Sequence, residues 1–556
     1  MDEEIDNFAN VDLENLVIKD KEYKRKRLIK ILIIILTIFI VLLILAVVIF
    51  LYFKFSNTTY GEITCFYLVK NVNEKISLIK KDDNLNFDLI INGTNFRQEY
   101  SHSFNYSGRQ KVTFLFKRRL KSLDNLFENN VALLEADLSK LDAEDITSLN
   151  SLFFSCINLR KVTFNFNTTN KIKSMSNLFF NCPLLENASF NFSAETLTDL
   201  TGVFQKCDKL TSIVLNLYNT KNLINMNKAF KESIYLQYID LSYLNFEKLN
   251  SLNETFNNCK ELKEIIFPKT FTNELVYMVR TFMGSPKIEK IDFQFFKAEK
   301  LKNMYQTFKD CTNLKEINIS HLKTDNLIYI EGMFQNCESL TSINLSNFSF
   351  EKITSLLSVF NGCKNLVEID ISFAKFPLLN LMLQTFMNCT NLKTVKLPKN
   401  LENVRSLDRL FANCEKLENI DLSPFNNSFL TNVDSMFANC YSLKKVEFPV
   451  INTGLLKSTS KMFSNCINLN FVNMGNFSAK RLNNLEYMFY NCKNLTYLDI
   501  SKLIINSPYK VTGIFEGIIS NITVVMNDNI EVALKNETSH LNITIIKSKK
   551  LQLKKF

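Results

Sequence analysis

The sequence contains no tryptophan and only three histidines, His102, His321 and His540, which lie too far apart to share ligand spacing. A histidine-built metal centre or catalytic triad is therefore not expected. Glycine (11) and proline (8) are scarce, which excludes collagen-like, proline-rich and glycine-linker chains. No Cys-x-x-Cys pair, no Asp-x-Asp and no glycine-rich phosphate loop occurs, so the signatures of metal–thiolate, nucleotide-sugar and phosphate sites are missing. A single-sign charge excess is lacking too. The 66 basic and 56 acidic residues are interspersed, with a net charge of +10, and read as a solvated mixed surface rather than a nucleic-acid groove. Hydrophobic residues, at 46% of 556, supply ample core and rule out a wholly disordered chain.

What the chain does have begins with Ile31 to Phe53, a run without a charge. As a helix it spans roughly 34 Å, enough for a hydrocarbon core of roughly 30 Å. Thirty residues precede it, and the exit LYFKFSNTTYGE offers no small-x-small cleavage pattern, so the segment reads as an uncleaved signal-anchor. The stretch 19–30 carries seven Lys/Arg, whereas only Lys54 stands within the first dozen residues beyond the apolar run. The positive-inside rule places the N-terminus in the cytosol and the large remainder outside. The acidic stretch 1–18 reads as a disordered cytosolic tail.

The rest is periodic. Phenylalanine recurs at 127, 153, 179, 204, 230, 256, 282, 308, 334, 360, 386, 411, 437, 463, 489 and 515. The step is about 26 residues throughout, falling one short of that only twice. Six residues later stands Leu in 14 of the first 15 repeats, with Ile288 the exception. Leu-x-x-Ile-x-Leu closes in period two, a short strand with one buried face. Leu-x-x-Met-x-x-Phe recurs at three and suits a helical or 3₁₀ turn. Two residues after the phenylalanine stands Asn in nine repeats, and Gly at 284, 362 and 517. Both residue types tolerate positive φ, so this column predicts a left-handed residue ending the turn. One such unit cannot bury its apolar side alone; stacked units can, with a parallel sheet advancing about 4.8 Å per repeat. Twelve of the thirteen cysteines fall in one column, three residues after the phenylalanine, where Asn130, Ser233, Ser285 and Ile518 also stand. That substitution pattern predicts a buried packing ladder rather than disulfides or metal ligands.

Runs such as MFQNCESLTSINLSNF (333–348) resemble the BspA-like leucine-rich-repeat family of cell-surface proteins, and the mycoplasma lipoprotein-associated repeat in particular. The resemblance covers about residues 122–526. It implies an α/β leucine-rich-repeat solenoid of about 16 repeats, surface display, a role in adhesion or in host or matrix binding, and no catalysis. The Trp-Asp-Thr-Ser loop common in the mycoplasma form is missing. No lipid-modifiable cysteine follows the apolar segment, Cys65 lying twelve residues beyond it. Anchorage therefore falls to the helix.

The organisation read from this is a cytosolic tail (1–30), a transmembrane helix (31–53), a β-rich juxtamembrane cap (54–121), the solenoid (122–526), and a C-terminal cap with a basic tail (527–556). The exposed side of the sheet is the expected ligand face. Its middle column includes Asp240, Asp292, Asp370, Asp421 and Asp499, the acidic stretch on the face is broken by Lys290, Lys396 and Lys445, and its rarer aromatics are Tyr238, Phe471 and Tyr497. These eight acids and aromatics are the candidate contacts for a protein or glycan outside the cell, aromatics giving contact area at low entropic cost. No cofactor, metal or nucleic acid is expected. The alternative is a non-catalytic scaffold in a secretory or organelle compartment. Seventeen N-x-Ser/Thr sequons are possible glycan acceptors.

Overall fold

The computed structural model describes residues 3–57, 59–166, 171–426, 428–539 and 542–548. Most of the expected basic tail, from residue 549 on, lies outside the described residues, as does His540. A single helix, α1, runs over Glu3–Asn57. The disordered tail expected over 1–18 is thus corrected for residues 3–18, which are helical, residues 1–2 lying outside the described residues. Its charged stretch is helix-compatible: Asp20 pairs with Lys24 at 2.7 Å, one turn apart. No side chain from Leu16 to Tyr52 is buried.

A leucine-rich-repeat solenoid with parallel sheets follows. The sixteen phenylalanines form one continuous spine of near-parallel rings. Phe127 and Phe153 are 5.3 Å apart at 6°, Phe360 and Phe386 5.7 Å apart at 0°, and Phe489 and Phe515, the last pair, 6.1 Å apart at 16°. Nearly every ring is fully buried. Short strands lie eight to ten residues after most of the phenylalanines, as in Tyr238–Asp240 beside Glu264–Ile266 or Phe471–Asn473 beside Tyr497–Asp499, but not after Phe334 or Phe411. A second, shorter sheet runs along another side of the coil, over Ile451–Thr453, Phe477–Asn484 and Leu503–Lys510.

The slot expected to be a helical turn is different in detail. Its i+3 hydrogen bonds are present, as from the Leu126 N–H to the Leu123 carbonyl at 3.2 Å, but only every second N–H makes one. The intervening N–H groups donate to the next coil: Asn125 to Asn150, Phe127 to Leu152 and Asn129 to Phe154. Two left-handed residues per turn allow this alternation. The column two residues after the phenylalanine is left-handed throughout, from Asn129 (φ 59°) to Gly517 (φ 83°), as the Asn and Gly there predict. The column two residues before it is left-handed as well, although it holds residues such as Lys228 (57°), Glu254 (54°), Arg280 (51°) and Tyr487 (56°). That conformation costs a non-glycine residue roughly 1–2 kcal/mol, and the inter-coil hydrogen bonds offset it.

The cysteine column has a specific duty. Each of its twelve thiols donates to the carbonyl of the phenylalanine one coil earlier, for example Cys156 to Phe127 at 2.9 Å and Cys363 to Phe334 at 3.2 Å. Ser233 and Ser285 do the same at 2.6 and 2.7 Å. The slot therefore needs a small buried donor, which explains why serine replaces cysteine there. Burial pushes these thiols up, to about 12 for Cys156 and Cys363, which keeps the donor proton in place.

Both ends of the sheet are occupied. Antiparallel strands at Thr94–Phe96, Phe87–Ile91, Gly108–Phe116 and Glu62–Val69 join it, the last pairing with Leu133–Asp137 of the first repeat. At the other end Ile522–Met526 leads through helix α2 (Asp528–Thr538), capped by Asn527, into Ile543–Lys547, which adds a parallel strand.

Candidate binding face of the sheet

The strands place alternate side chains outward. Residues nine after the phenylalanine, such as Ile239, Val472 and Leu498, point into the core, and those eight and ten after it face solvent. Seven of the eight candidate residues lie on this outward face, half-buried or exposed, and Asp421 holds the same register, exposed, where no strand forms.

The acidic column is committed to the backbone. Asp240 accepts the N–H of Ser242 at 2.8 Å, Asp292 that of Gln294 at 2.9 Å, and Asp370 that of Ser372 at 3.0 Å. Asp421 accepts from Ser423 at 2.8 Å and Asp499 from Ser501 at 3.0 Å. Asn344 and Asn473 make the same bond to Ser346 and Gly475. Each is an Asx turn that bends the chain away from the strand, which explains why Asp and Asn interchange in this column. Bonds from the Ser372 hydroxyl and N–H, with the Lys396 ammonium at 3.0 Å, hold the Asp370 carboxyl down at about 2.

The aromatics behave differently. Phe471 and Tyr497 occupy the same column on adjacent strands and stack at 4.8 Å and 10°. The Lys445 ammonium, one strand further back, sits 5.0 Å over the Phe471 ring and pairs with Glu447 at 2.6 Å. Loss of solvent, with Asp499 nearby, raises the Tyr497 phenol above its ordinary value. A cation and two rings thus form one stripe across three consecutive coils. Tyr238 lies nine coils from Phe471 and shares its strand with Asp240; partial desolvation, with Asp240 and Glu264 close by, raises its phenol too. Sequence reasoning placed Lys445 only as an interruption of the acids. The signal that links it to the stripe is the one-repeat spacing of 445, 471 and 497.

Fold and periodicity define a leucine-rich-repeat protein. The profile described as a BspA type leucine rich repeat region, in six copies, matches residues 357–496 and 459–550. That of a Mycoplasma protein of unknown function matches 94–213, 121–242, 173–274 and 274–400. The chain belongs to the BspA-like leucine-rich-repeat family. No curated relative matches it. Among solved structures, it is similar to a leucine-rich-repeat protein of Leptospira interrogans, at 16% identity, 72% of this chain, 90% of that one and a TM-score of 0.23. It is also similar to the pneumococcal vaccine antigen PcpA, at 11% identity, 85% of this chain, 100% of that one and a TM-score of 0.30. Likeness at this level carries no argument about function.

Proposed function

We propose that this chain is a membrane-anchored, non-catalytic surface protein whose sheet face binds an extracellular protein or glycan, in adhesion. Leucine-rich-repeat solenoids commonly serve protein binding and are typically non-catalytic scaffolds. The observation that carries the surface reading is α1. Its apolar side chains from Ile31 to Leu51 are exposed, and such a surface is stable only in lipid or against a partner. The basic flank at 19–30 supports an orientation with the solenoid on the non-cytosolic side. On the face itself, the Phe471–Tyr497 stack beside Lys445 concentrates aromatic area and charge in one place, the composition of a contact hot spot. The acids of the middle column shape the turns around it.

The test is accessibility on intact cells. A C-terminal tag is expected to react with antibody and to be removed by added protease without permeabilisation. Labelling only after permeabilisation would move the protein to an internal scaffold or invert its topology.

A further inference from the structure

Several cations in this solenoid are answered by a carboxylate one coil away. Lys171 pairs with Asp145 at 2.8 Å, Lys300 with Glu274 at 2.6 Å, Lys315 with Glu289 at 2.9 Å, Lys364 with Glu338 at 2.9 Å and Lys444 with Glu418 at 2.7 Å, each reaching the matching position of the preceding coil. One cleft gathers three cations that are not. This cleft, of about 730 Å³ beside the second sheet, is lined by Arg405, Phe429, Gly454, Leu455, Lys480 and Arg481, among others, and no carboxylate lines it. Among the described residues none of its three cations is in an ion pair. The matching positions one coil before Lys480 and Arg481, where a partner would stand, are Gly454 and Leu455. Phe429 and Leu455, between the cations along the coil, are 64% and 58% exposed.

We propose that this cleft binds an acidic oligosaccharide, its anionic groups held by Arg405 at one end and by Lys480 and Arg481 at the other. Arg405 and Arg481 are three coils apart, about 14 Å at the usual strand spacing. The stretch between them presents hydrocarbon. A sugar chain with spaced carboxylates or sulfates matches that order, because pyranose rings offer C–H faces to Phe429 and Leu455 between the charges. A polypeptide laid there would face its amides to two apolar side chains that cannot bond them. The lipid of the chain's own membrane is a poor match. The anchor adjoins the first repeat, and the cleft lies about eleven coils, on the order of 50 Å, further on. The site is separate from the aromatic stripe, and it rests on the surface reading only in meeting its ligand outside the cell.

The full chain in neutral-lipid nanodiscs is titrated with a fluorescent heparin hexasaccharide at about 0.15 M salt. The triple variant Arg405→Gln, Lys480→Gln, Arg481→Gln should weaken binding about tenfold or more. The control Lys315→Gln, Lys364→Gln, Lys444→Gln carries the same charge change at paired lysines and should stay within about twofold. A second variant, Leu455→Glu, installs the missing carboxylate opposite Arg481 and should also abolish binding, with unchanged thermal unfolding because the side chain is exposed. Equal weakening by both triple variants, or none by either, overturns the proposal. Competition by polyglutamate or by phosphatidylserine vesicles as strong as that by unlabelled hexasaccharide overturns it in favour of an acidic peptide or a headgroup. Because purified protein is used, failure here leaves the surface reading untouched, and an internal tag on cells leaves this result standing.

Discussion

The interior of the solenoid and its outward sheet face are built from the same sixteen turns, yet they follow opposite rules. Inside, the columns hardly vary, because each ring stacks on the one before it and each thiol needs the carbonyl one coil back. A change there is felt by both neighbours. Outside, the middle column keeps Asp or Asn only for its turn, and the column eight after the phenylalanine varies freely: Tyr238, Lys290, Thr394, Lys445, Phe471. Repetition in this chain reports packing. Recognition is to be sought where the repetition lapses.

The comparison predicts a ranking of effects. Phe334→Asp places a charge between Phe308 and Phe360, whose rings lie 5.3 and 5.8 Å away. It should cost about 4 kcal/mol or more and melt several coils together, read by thermal unfolding and hydrogen exchange. An unchanged melting curve would remove the phenylalanine from the spine. Cys363→Ala removes the donor to Phe334 and leaves a small void, so it should cost about 1–3 kcal/mol. Cys363→Ser keeps the donor, as Ser233 and Ser285 do, and should cost less than alanine; the reverse order would make the slot one of volume alone. On the face, Asp370→Asn should change stability by only a few tenths of a kcal/mol, because the side chain is solvent-exposed and the amide oxygen can still accept the Ser372 N–H. The Asp370 carboxyl is held down at about 2. Its charged form therefore favours the fold above about pH 4, and this contribution fades as the pH falls through about 2. The difference in melting temperature between native chain and variant should shrink over that window, and a gap that widens on acidification would contradict the assignment.

Much of this was legible in the letters. The phenylalanine register locates the spine, period-two runs locate the strands, and Asn with Gly marks one left-handed column. The second left-handed column was not legible, because Lys228, Glu254, Arg280 and Tyr487 share no chemistry. Their backbone is set by hydrogen bonds to the neighbouring coil, which no local pattern encodes. The cysteine column was legible as a buried ladder but not as a row of donors, since each acceptor is a backbone carbonyl of the coil before. The candidate face was half legible. Asp followed two residues later by Ser already spells an Asx turn, and the acids prove to be shaping the chain. Phe471 and Tyr497 were legible as exposed aromatics, and their union with Lys445 required aligning coils.

The most direct test places a photo-crosslinking amino acid on the outward face of the full chain, displayed on intact cells. Position 497 carries it in one variant and position 238 in another. Adducts of higher mass are expected from 497 and not from 238, and Phe471→Ala should suppress them. Equal crosslinking at both positions, or none at 497, would contradict the assignment of recognition to the stripe of Lys445, Phe471 and Tyr497.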